Sequence, residues 1–376
     1  MRVASRSFQV FSKPVGAACN LRCAYCYYLS KGSVGGPSRM SEDVLEQYIS
    51  QQIAASPDEI VRFSWHGGEP TLLGLDYFRL IVDLQRRHCP AGRTIANGIQ
   101  TNGTLLDEKW GRFLAAEFFA VGLSLDGPQE MHDRYRTTRD GKGTFDQALR
   151  GYEVLRRHGV PTDILCVVSS HNAGHPTEVY RFFKRIGVSC VSFLPLVERR
   201  PDLSDGVTPD SVEPGAWGEF LCVVFNEWVD ADIGRIKVQI IEEAARTAFG
   251  QDHSLCLFRP TCGDIPVVEQ NGDFYSCDHF VDADHRVGNI LDTPLVDMLE
   301  SSAQLEFGWA KLERLPAACR VCEVRAMCHG ECPKNRFVAA PDGGPPLNYL
   351  CPGYKQFFTH VTPFVQAVAG QWRAGK

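Results

Sequence analysis

The chain has 376 residues, a hydrophobic content of 44% and a formal net charge of −6 at pH 7. This length favours two domains, although one barrel can take up about 250 residues, and the mild acidity argues against a nucleic-acid-binding surface. No apolar run approaches the roughly 18 residues that span a bilayer, and the first residues lack the apolar core of a secretory signal. We therefore expect a cytoplasmic protein that binds neither nucleic acid nor membranes.

Up to about residue 235, short apolar runs alternate with longer amphipathic stretches. The predicted strands are 8–12, 60–65, 95–100, 121–125, 164–168 and 191–196. The predicted helices are 41–55, 77–88, 108–117, 145–158, 176–186 and 217–230, with a surface loop at 198–214. Sixfold repetition of strand and helix predicts an α/β fold with a parallel sheet covered by helices. We expect a partial (β/α)6 TIM-like barrel over residues 1–235.

Residues 236–376 lack this alternation and are rich in Cys, Gly and Pro, so we expect a small irregular domain held together by metal. The whole chain contains 15 cysteines. In a reducing cytoplasm such abundance indicates metal ligation rather than disulfides. Four cysteines outside tight local spacings are interpreted as small buried apolar residues: Cys89, Cys166, Cys190 and Cys222.

Active sites of barrels lie at the carboxyl ends of the strands. The first four predicted strands are followed by CNLRCAYC, HGGEP, QTNG and SLDG. In the first of these runs, Cys19, Cys23 and Cys26 place three thiolates in one loop. A complete cubane cluster or a structural zinc site takes four ligands, and the loop contains no histidine. Three ligands therefore predict a reactive metal site with one open position.

The run CNLRCAYC resembles the CxxxCxxC signature of the radical S-adenosylmethionine superfamily, including the aromatic residue before the last cysteine. The resemblance implies an oxygen-sensitive [4Fe–4S] cluster whose open iron binds S-adenosylmethionine and cleaves it to a 5′-deoxyadenosyl radical. Glycines suit a close approach of the backbone to this cofactor, and an arginine fork suits its carboxylate. The residues that the resemblance assigns to S-adenosylmethionine are Tyr25, Gly67, Gly68, Glu69, Ser124 and Arg136. Arg134 and Arg139 remain alternatives to Arg136.

Eight further cysteines suffice for two fully ligated cubanes: Cys256, Cys262, Cys277, Cys319, Cys322, Cys328, Cys332 and Cys351. Local spacing alone would group 319, 322, 328 and 332. The pattern, with Gly272 in a hairpin-like NGD turn, resembles the SPASM extension of peptide-modifying members of the superfamily. That resemblance implies a crossed arrangement, in which Cys332 joins Cys256, Cys262 and Cys277 while Cys351 joins Cys319, Cys322 and Cys328. The chain would then hold three [4Fe–4S] clusters, and two zinc sites are the alternative for the second and third cysteine groups.

Across nearly the whole chain, runs such as KPVGAACNLRCAYCYYLSK, FSWHGGEPTLLGLDYF and FYSCDHF resemble the anaerobic sulfatase-maturating enzymes. This resemblance implies oxidation of a Cys or Ser side chain of a sulfatase to Cα-formylglycine. The implied steps are hydrogen abstraction from Cβ, deprotonation by Asp278 and electron transfer to an auxiliary cluster. The implied partners are an unfolded or nascent sulfatase segment and an electron donor such as flavodoxin or ferredoxin. His279 and Asp282 are alternatives to Asp278 as the base.

Three other functions are weighed against this one. A SPASM enzyme that modifies a ribosomally made precursor peptide is the nearest, but many of those carry a leader-binding domain, for which we see no room before Cys19 or after Cys351. A pure electron carrier would provide four ligands for every cluster, which the first cysteine group does not. A nucleic-acid-modifying enzyme would carry a basic stripe. The sequence does not decide between Cys and Ser as substrate.

Overall fold

The computed structural model describes residues 2–28, 38–200, 202 and 206–375. These residues form two compact units, each built from segments that are distant in sequence. The first unit contains Met1–Leu125, His132–Thr162 and Gly263–Gly308. The second contains Asp126–Met131, Asp163–Cys262 and Trp309–Lys376. A domain boundary between residues 235 and 236 stays a prediction.

Strands and helices alternate up to about residue 235, as the sequence predicts, and the alternation continues through the strand Lys237–Val238 and the helix Gln239–Ala248. The strands in chain order are β1 Phe11–Lys13, β2 Ile60–Trp65, β3 Thr94–Thr101, β4 Ala120–Ser124, β5 Thr162–Val168, β6 Cys190–Pro195, β7 Lys237–Val238, β8 Val267–Glu269, β9 Asp273–Tyr275, β10 Arg286–Asn289, β11 Arg336–Val338 and β12 Leu347–Asn348. The α-helices are α1 Glu42–Ala55, α2 Gly74–His88, α3 Glu108–Ala116, α4 Gln129–Asp133, α5 Phe145–Arg157, α6 Pro176–Arg185, α7 Pro214–Ala231, α8 Gln239–Ala248, α9 Leu295–Leu299, α10 Ser302–Glu313, α11 Ala317–Arg320, α12 Arg325–Cys328 and α13 Cys351–Ala374.

The sheet of the first unit has the strand order β10-β9-β8-β1-β2-β3-β4. Strands β1 to β4 are parallel to one another, and β8 lies parallel to β1 on its other side with Lys13 opposite Glu269. A hairpin joins β8 to the antiparallel β9, and Gly272 in its turn has a φ of 86°, as the NGD sequence predicts. The pairing of β8 with β1 therefore brings the segment around Cys277 into the same unit as Cys19, Cys23 and Cys26.

In the second unit, β5, β6 and β7 are parallel neighbours, and β11 and β12 form a short antiparallel pair. The six strands predicted up to residue 235 correspond to β1–β6, and the six predicted helices to α1, α2, α3, α5, α6 and α7. In α1, Ser41 accepts a hydrogen bond from the backbone N–H of Val44, the N-cap contact expected from the sequence. Residues 201 and 203–205 of the predicted loop 198–214 lie outside the described residues.

The C-terminal segment contains more regular structure than its composition indicates. The 24-residue helix α13 packs against α7, where a Cβ at Gly353 would lie 2.1 Å from the carbonyl oxygen of Pro214. The close approach of the two backbones explains the glycine at this position. None of the helices in the described residues combines the length and apolar character that crossing a membrane requires.

Candidate active site

The loop after β1 carries Cys19, Cys23 and Cys26, all with free thiols. Backbone hydrogen bonds hold it to residues 135–137, from Ala24 N–H to the Tyr135 carbonyl (3.0 Å) and from Arg22 N–H to the Thr137 carbonyl (2.8 Å). The Leu21 N–H lies 3.3 Å from the Cys19 sulfur. Burial raises the pKa of Cys19, and the nearby Glu69 and Cys26 raise it further. Cys19 and Cys26 are thus close enough to interact, which suits ligation of a common metal group.

The GGE segment runs directly beside this cysteine loop. Gly68 N–H donates to the Gly16 carbonyl (2.6 Å), and Glu69 N–H donates to the Ala18 carbonyl (2.9 Å). A Cβ at Gly68 would lie 2.1 Å from the Ala18 carbonyl oxygen, and Gly67 has a φ of 138°. Both positions therefore require glycine, the first for close approach and the second for its backbone conformation.

The carboxylate of Glu69 is fully buried and engaged by the protein itself. Its Oε1 accepts from the hydroxyls of Thr71 (2.5 Å) and Thr101 (2.7 Å), and its Oε2 from Asn102 N–H (2.7 Å). Burial raises the pKa of Glu69, and these donors offset part of that rise. The residue joins the ends of β2 and β3.

The remaining residues predicted to contact S-adenosylmethionine lie at the end of β4 and in the segment after α4. Arg136 is 7% exposed, and its guanidinium lies 5.5 Å from the centre of the Tyr25 ring. Ser124 accepts a hydrogen bond from Gln100 (3.2 Å). Of the two alternatives to Arg136, Arg139 donates to the Cys19 carbonyl (2.9 Å), and Arg134 lies over Tyr135. Arg139 thus already contacts the cysteine loop itself.

Asp278 lies in a group of polar side chains within the first unit. Lys13 Nζ is 2.7 Å from its Oδ1, and the Tyr27 hydroxyl donates to its Oδ2. Burial alone would raise the pKa of Asp278, but Lys13, His279 and His66 hold it below its usual value. Asp278 is therefore an ionised, oriented carboxylate rather than one that burial has made strongly basic.

A second buried pair, Tyr28 and Glu269, lies next to Lys13. The Tyr28 hydroxyl donates to Glu269, and Lys13 Nζ lies 4.5 Å from the centre of the Tyr28 ring. Lys13 and Glu269 are both 2% exposed. His66 stacks on Phe11 with ring centres 4.0 Å apart, and burial together with Lys13 lowers its pKa to about 3. His66 is thus a neutral imidazole at neutral pH.

In the second unit, four cysteines line one pocket: Cys319, Cys322, Cys328 and Cys351. Burial raises the pKa of Cys351, and Cys319 and Cys322 raise it further. Burial raises the pKa of Cys328 to about 12, with Cys351 and Cys319 among its charged neighbours. This grouping places Cys351, rather than Cys332, with the other three thiols.

Cys256, Cys262 and Cys332 lie around a different side chain of this unit, Lys311, with which all three interact electrostatically. Burial and the neighbouring Cys262 raise the pKa of Cys256 to about 11. In the ranges that the structure describes, no three His, Cys, Asp or Glu side chains meet as ligands of a single metal ion, so the fit to a larger cluster rests on the grouping of these thiols.

Several residues of the site were missed by reasoning from the sequence. Lys13 and Tyr27 contact Asp278, yet Lys13 directly follows the predicted strand 8–12, and a lysine at such a position normally faces solvent. Asn102 donates to Asn20 (2.9 Å) and lies 3.8 Å from the Cys19 sulfur, so the QTNG run supports the cysteine loop. The sequence feature that pointed to this role was the position of the QTNG run at the end of a predicted strand. Among the four unassigned cysteines, Cys166 is buried as predicted, whereas Cys89, Cys190 and Cys222 are half-buried.

Two protein-family models match the chain. The radical SAM superfamily matches residues 14–183, and the SPASM iron–sulfur cluster-binding domain matches residues 256–323. The first match contains the CNLRCAYC and GGE runs, and the second contains five of the cysteines discussed above, from Cys256 to Cys322.

Relatives resemble the chain over almost its full length. It is 41% identical over 377 residues to the serine-type anaerobic sulfatase-maturating enzyme of Bacteroides thetaiotaomicron, covering 96% of this chain and 91% of the relative. It is 34% identical to the cysteine-type anaerobic sulfatase-maturating enzyme of Clostridium perfringens, covering 95% and 97%. The solved structure of native anSMEcpe with bound AdoMet and Cp18Cys peptide matches with a TM-score of 0.89 and 32% identity, covering 97% and 99%. These matches confirm the predicted α/β class, with a partial barrel followed by an iron–sulfur domain.

Proposed function

Because the chain belongs to the anaerobic sulfatase-maturating enzymes of the radical SAM superfamily, we propose that it oxidises a serine or cysteine side chain of a sulfatase to Cα-formylglycine. The observation that carries the proposal is the position of Asp278. This carboxylate is adjacent in sequence to Cys277 and bonded to Tyr27, which itself follows Cys26. A proton acceptor thus lies between a cysteine of the first group and a cysteine of the second.

The residues of the site fit the expected cofactors. Cys19, Cys23 and Cys26 would hold a [4Fe–4S] cluster with one open iron. The S-adenosylmethionine contacts would come from Tyr25, Gly67, Gly68, Glu69, Ser124 and Arg136. When bound, these groups supply a 5′-deoxyadenosyl radical that removes hydrogen from Cβ of the substrate residue, and the auxiliary clusters supply an acceptor for the electron that leaves.

Asp278 takes the remaining proton. Loss of a hydrogen atom from Cβ leaves a carbon radical next to a thiol or hydroxyl group, and losing one proton and one electron then gives the thioaldehyde or aldehyde. A thioaldehyde becomes the aldehyde when water adds to it and hydrogen sulfide leaves. Lys13 and Tyr27 hold the two oxygens of Asp278, so the carboxylate is ionised and oriented before substrate binds. A positioned base of this kind typically accelerates a reaction by about 10²–10⁴-fold.

The two auxiliary clusters would be held in the crossed arrangement. One ligand set would consist of Cys256, Cys262, Cys277 and Cys332, and the other of Cys319, Cys322, Cys328 and Cys351. The pocket lined by the four members of the second set supports this assignment. The substrate would be an unfolded or nascent sulfatase segment, and the reducing electron would come from a small carrier such as flavodoxin or ferredoxin.

The proposal is tested by anaerobic incubation with S-adenosylmethionine, a reductant and peptides containing C-x-P-x-R or S-x-P-x-R. Mass spectrometry should detect an aldehyde in place of the thiol or hydroxyl, together with 5′-deoxyadenosine. We expect Asp278→Asn to retain cleavage of S-adenosylmethionine and to lose at least about 10²-fold in formylglycine. Asp282→Asn is the matched control, because Asp282 is an exposed carboxylate on the same segment that bonds His285. Unchanged peptide oxidation by Asp278→Asn would remove this residue from the mechanism.

A further inference from the structure

Two cationic side chains of the second unit donate only to backbone carbonyls. Lys311, on α10, is 1% exposed, and its Nζ donates to the carbonyls of Cys256 (2.9 Å) and Leu257 (2.8 Å). Arg336, at the start of β11, is half-buried and donates through Nη1 to the Lys311 carbonyl (2.7 Å). Its other contacts are the carbonyls of residues 329–331, at 2.9–3.2 Å. Arg336 thereby fixes the main chain that carries the other cation.

Neither cation forms an ion pair with a carboxylate in the part of the chain that the structure describes. No carboxylate oxygen of the described residues lies within 4.0 Å of the nitrogens of Lys311 or Arg336. Glu331 is nearby and 3% exposed, but its carboxylate accepts from the side-chain amides of Asn335 (3.2 Å) and Asn348. A charge withdrawn from water is costly unless an opposite charge compensates it. Glu331 interacts electrostatically with both cations from beyond ion-pair distance, so among the described residues neither cation is directly paired with an Asp or Glu.

Most of the anionic groups that face these cations are cysteines. Lys311 interacts electrostatically with Cys256, Cys262 and Cys332. Arg336 interacts with Cys319, Cys262 and Cys328, and also with Glu331. Under the crossed ligand sets, Arg336 therefore adjoins both auxiliary clusters, whereas Lys311 adjoins one.

The backbone that Arg336 holds is the link between these two sets. His329, Gly330 and Glu331 have φ values of 46°, 71° and 51° and form the turn between Cys328 and Cys332. Two of these three residues are not glycine, so the turn is strained. Three of the four hydrogen bonds that Arg336 donates go to the carbonyls of this turn. A Cβ at Gly330 would lie 2.8 Å from Arg336 Nη2, which shows how closely the guanidinium approaches. The guanidinium charge of Arg336 and the strained turn thus lie at the same place in the chain, between the two cysteine groups.

We propose that Arg336 and Lys311 are the fixed counter-charges of the auxiliary clusters and raise their reduction potentials, which makes the clusters better acceptors for the electron released by the substrate. Cluster potentials depend on net charge, hydrogen bonding and solvent exposure. A one-electron reduction adds negative charge to a group that already carries four thiolates, and a cation in a water-poor site favours that state. This inference rests on the proposed ligand sets.

The test is a potentiometric titration followed by electron paramagnetic resonance, on anaerobically prepared full-length protein. In Arg336→Gln we expect the equilibrium constant for reduction of both auxiliary clusters to fall about tenfold, a shift of about 59 mV to lower potential for a one-electron couple. In Arg336→Lys, which keeps the charge, the potentials should stay closer to wild type. The cluster at Cys19, Cys23 and Cys26 is the internal reference and should not shift.

Unchanged potentials in Arg336→Gln at full iron content would overturn the inference, and so would an equal shift in Arg336→Lys. If Arg336→Gln loses iron, the test is repeated with Lys311→Met, which removes the charge, and Lys311→Arg, which keeps it. The reduction potential of the cluster at Cys256, Cys262 and Cys332 should then fall in Lys311→Met and stay closer to wild type in Lys311→Arg. Wild-type protein with zinc in place of the auxiliary clusters would instead refute the proposed ligand sets, so the two failures are distinguishable.

Discussion

Lys13 is the residue that joins the two cysteine-bearing segments of the first unit. Its ammonium group contacts Asp278, next to Cys277, and lies over Tyr28, two residues after Cys26. Breaking a buried ion pair by removing one partner costs about 3–5 kcal/mol, because the other charge stays buried. Asp278 is 9% exposed and therefore falls under this rule.

We predict that Lys13→Met uncouples radical formation from product. Without the lysine, the Asp278 carboxylate should turn toward water or take up a proton, either of which removes the oriented base. The ratio of formylglycine to 5′-deoxyadenosine should fall by at least about tenfold, the effect of roughly 1.4 kcal/mol. Lys13→Arg should recover part of it, because it keeps the charge. An unaltered ratio in Lys13→Met would show that the lysine does not position Asp278.

Tyr27→Phe should act in the same direction. Tyr27 is 43% exposed, and the variant removes only the hydroxyl that donates to Asp278. A hydrogen bond to a charged group contributes about 1.5–3 kcal/mol. Quantitative mass spectrometry of the peptide should therefore show product formation lowered by about 10- to 100-fold, with 5′-deoxyadenosine release retained. Product at the wild-type rate would contradict a role for the hydroxyl.

The sequence identified Asp278 but not its partners. The cysteine spacings, GGE and SLDG are local patterns, so their residues could be read directly from the chain. Lys13 and Asp278 are far apart in sequence, and a single lysine in a short strand carries no local sign of burial. Its environment arises from the pairing of β1 with β8, a long-range contact that periodicity cannot predict.

At the scale of whole elements, the parallel strands β1, β2 and β3 bring their following loops to one edge of the sheet. The GGE segment after β2 contacts the cysteine loop after β1 through its backbone, and Asn102 after β3 contacts Asn20. This arrangement depends on Gly68, whose position leaves no space for a side chain.

Gly68→Ala should therefore displace the cysteine loop. Because the added methyl group would meet a backbone carbonyl at 2.1 Å, we expect loss of iron from the first site and at least about a tenfold fall in 5′-deoxyadenosine formation, which a displacement costing about 1.4 kcal/mol would produce. Gly98→Ala in β3 is the matched control, since its Cβ would meet only atoms at 3.8 Å or beyond. Iron analysis and chromatography of the nucleoside provide the measurement. Full iron and activity in Gly68→Ala would mean that the loop tolerates the shift.

The elements themselves were largely predictable up to residue 235. Strand and helix periodicity located β2 to β6 to within about two residues, whereas the first strand was predicted at 8–12 and forms at Phe11–Lys13. The backbone N–H groups of residues 9 and 11 donate to the carbonyls of Asp264 and Pro266, just before β8. The long helix α13 was missed because the abundance of Cys, Gly and Pro suggested an irregular domain, although Pro352 in its first turn is compatible with a helix start.

For the molecule as a whole, the proposed ligand sets require three four-iron clusters, or about 12 iron atoms per chain. Under the crossed ligand sets, Cys351→Ala should destabilise the cluster of Cys319, Cys322 and Cys328, and Cys332→Ala should destabilise the other auxiliary cluster. Under local spacing, Cys332→Ala would instead destabilise the cluster of Cys319, Cys322 and Cys328, and Cys351→Ala would leave that cluster intact. Iron analysis with Mössbauer spectroscopy of the two variants separates these outcomes.

The most direct test is whether the cluster at Cys19, Cys23 and Cys26 has an iron that accepts S-adenosylmethionine. Protein prepared without oxygen and then reduced should give an electron paramagnetic resonance signal that changes when S-adenosylmethionine is added, and 5′-deoxyadenosine should be released. Cys23→Ala should abolish both responses while leaving the auxiliary cluster signals in place. A signal that ignores S-adenosylmethionine, or zinc in this site, would contradict the account.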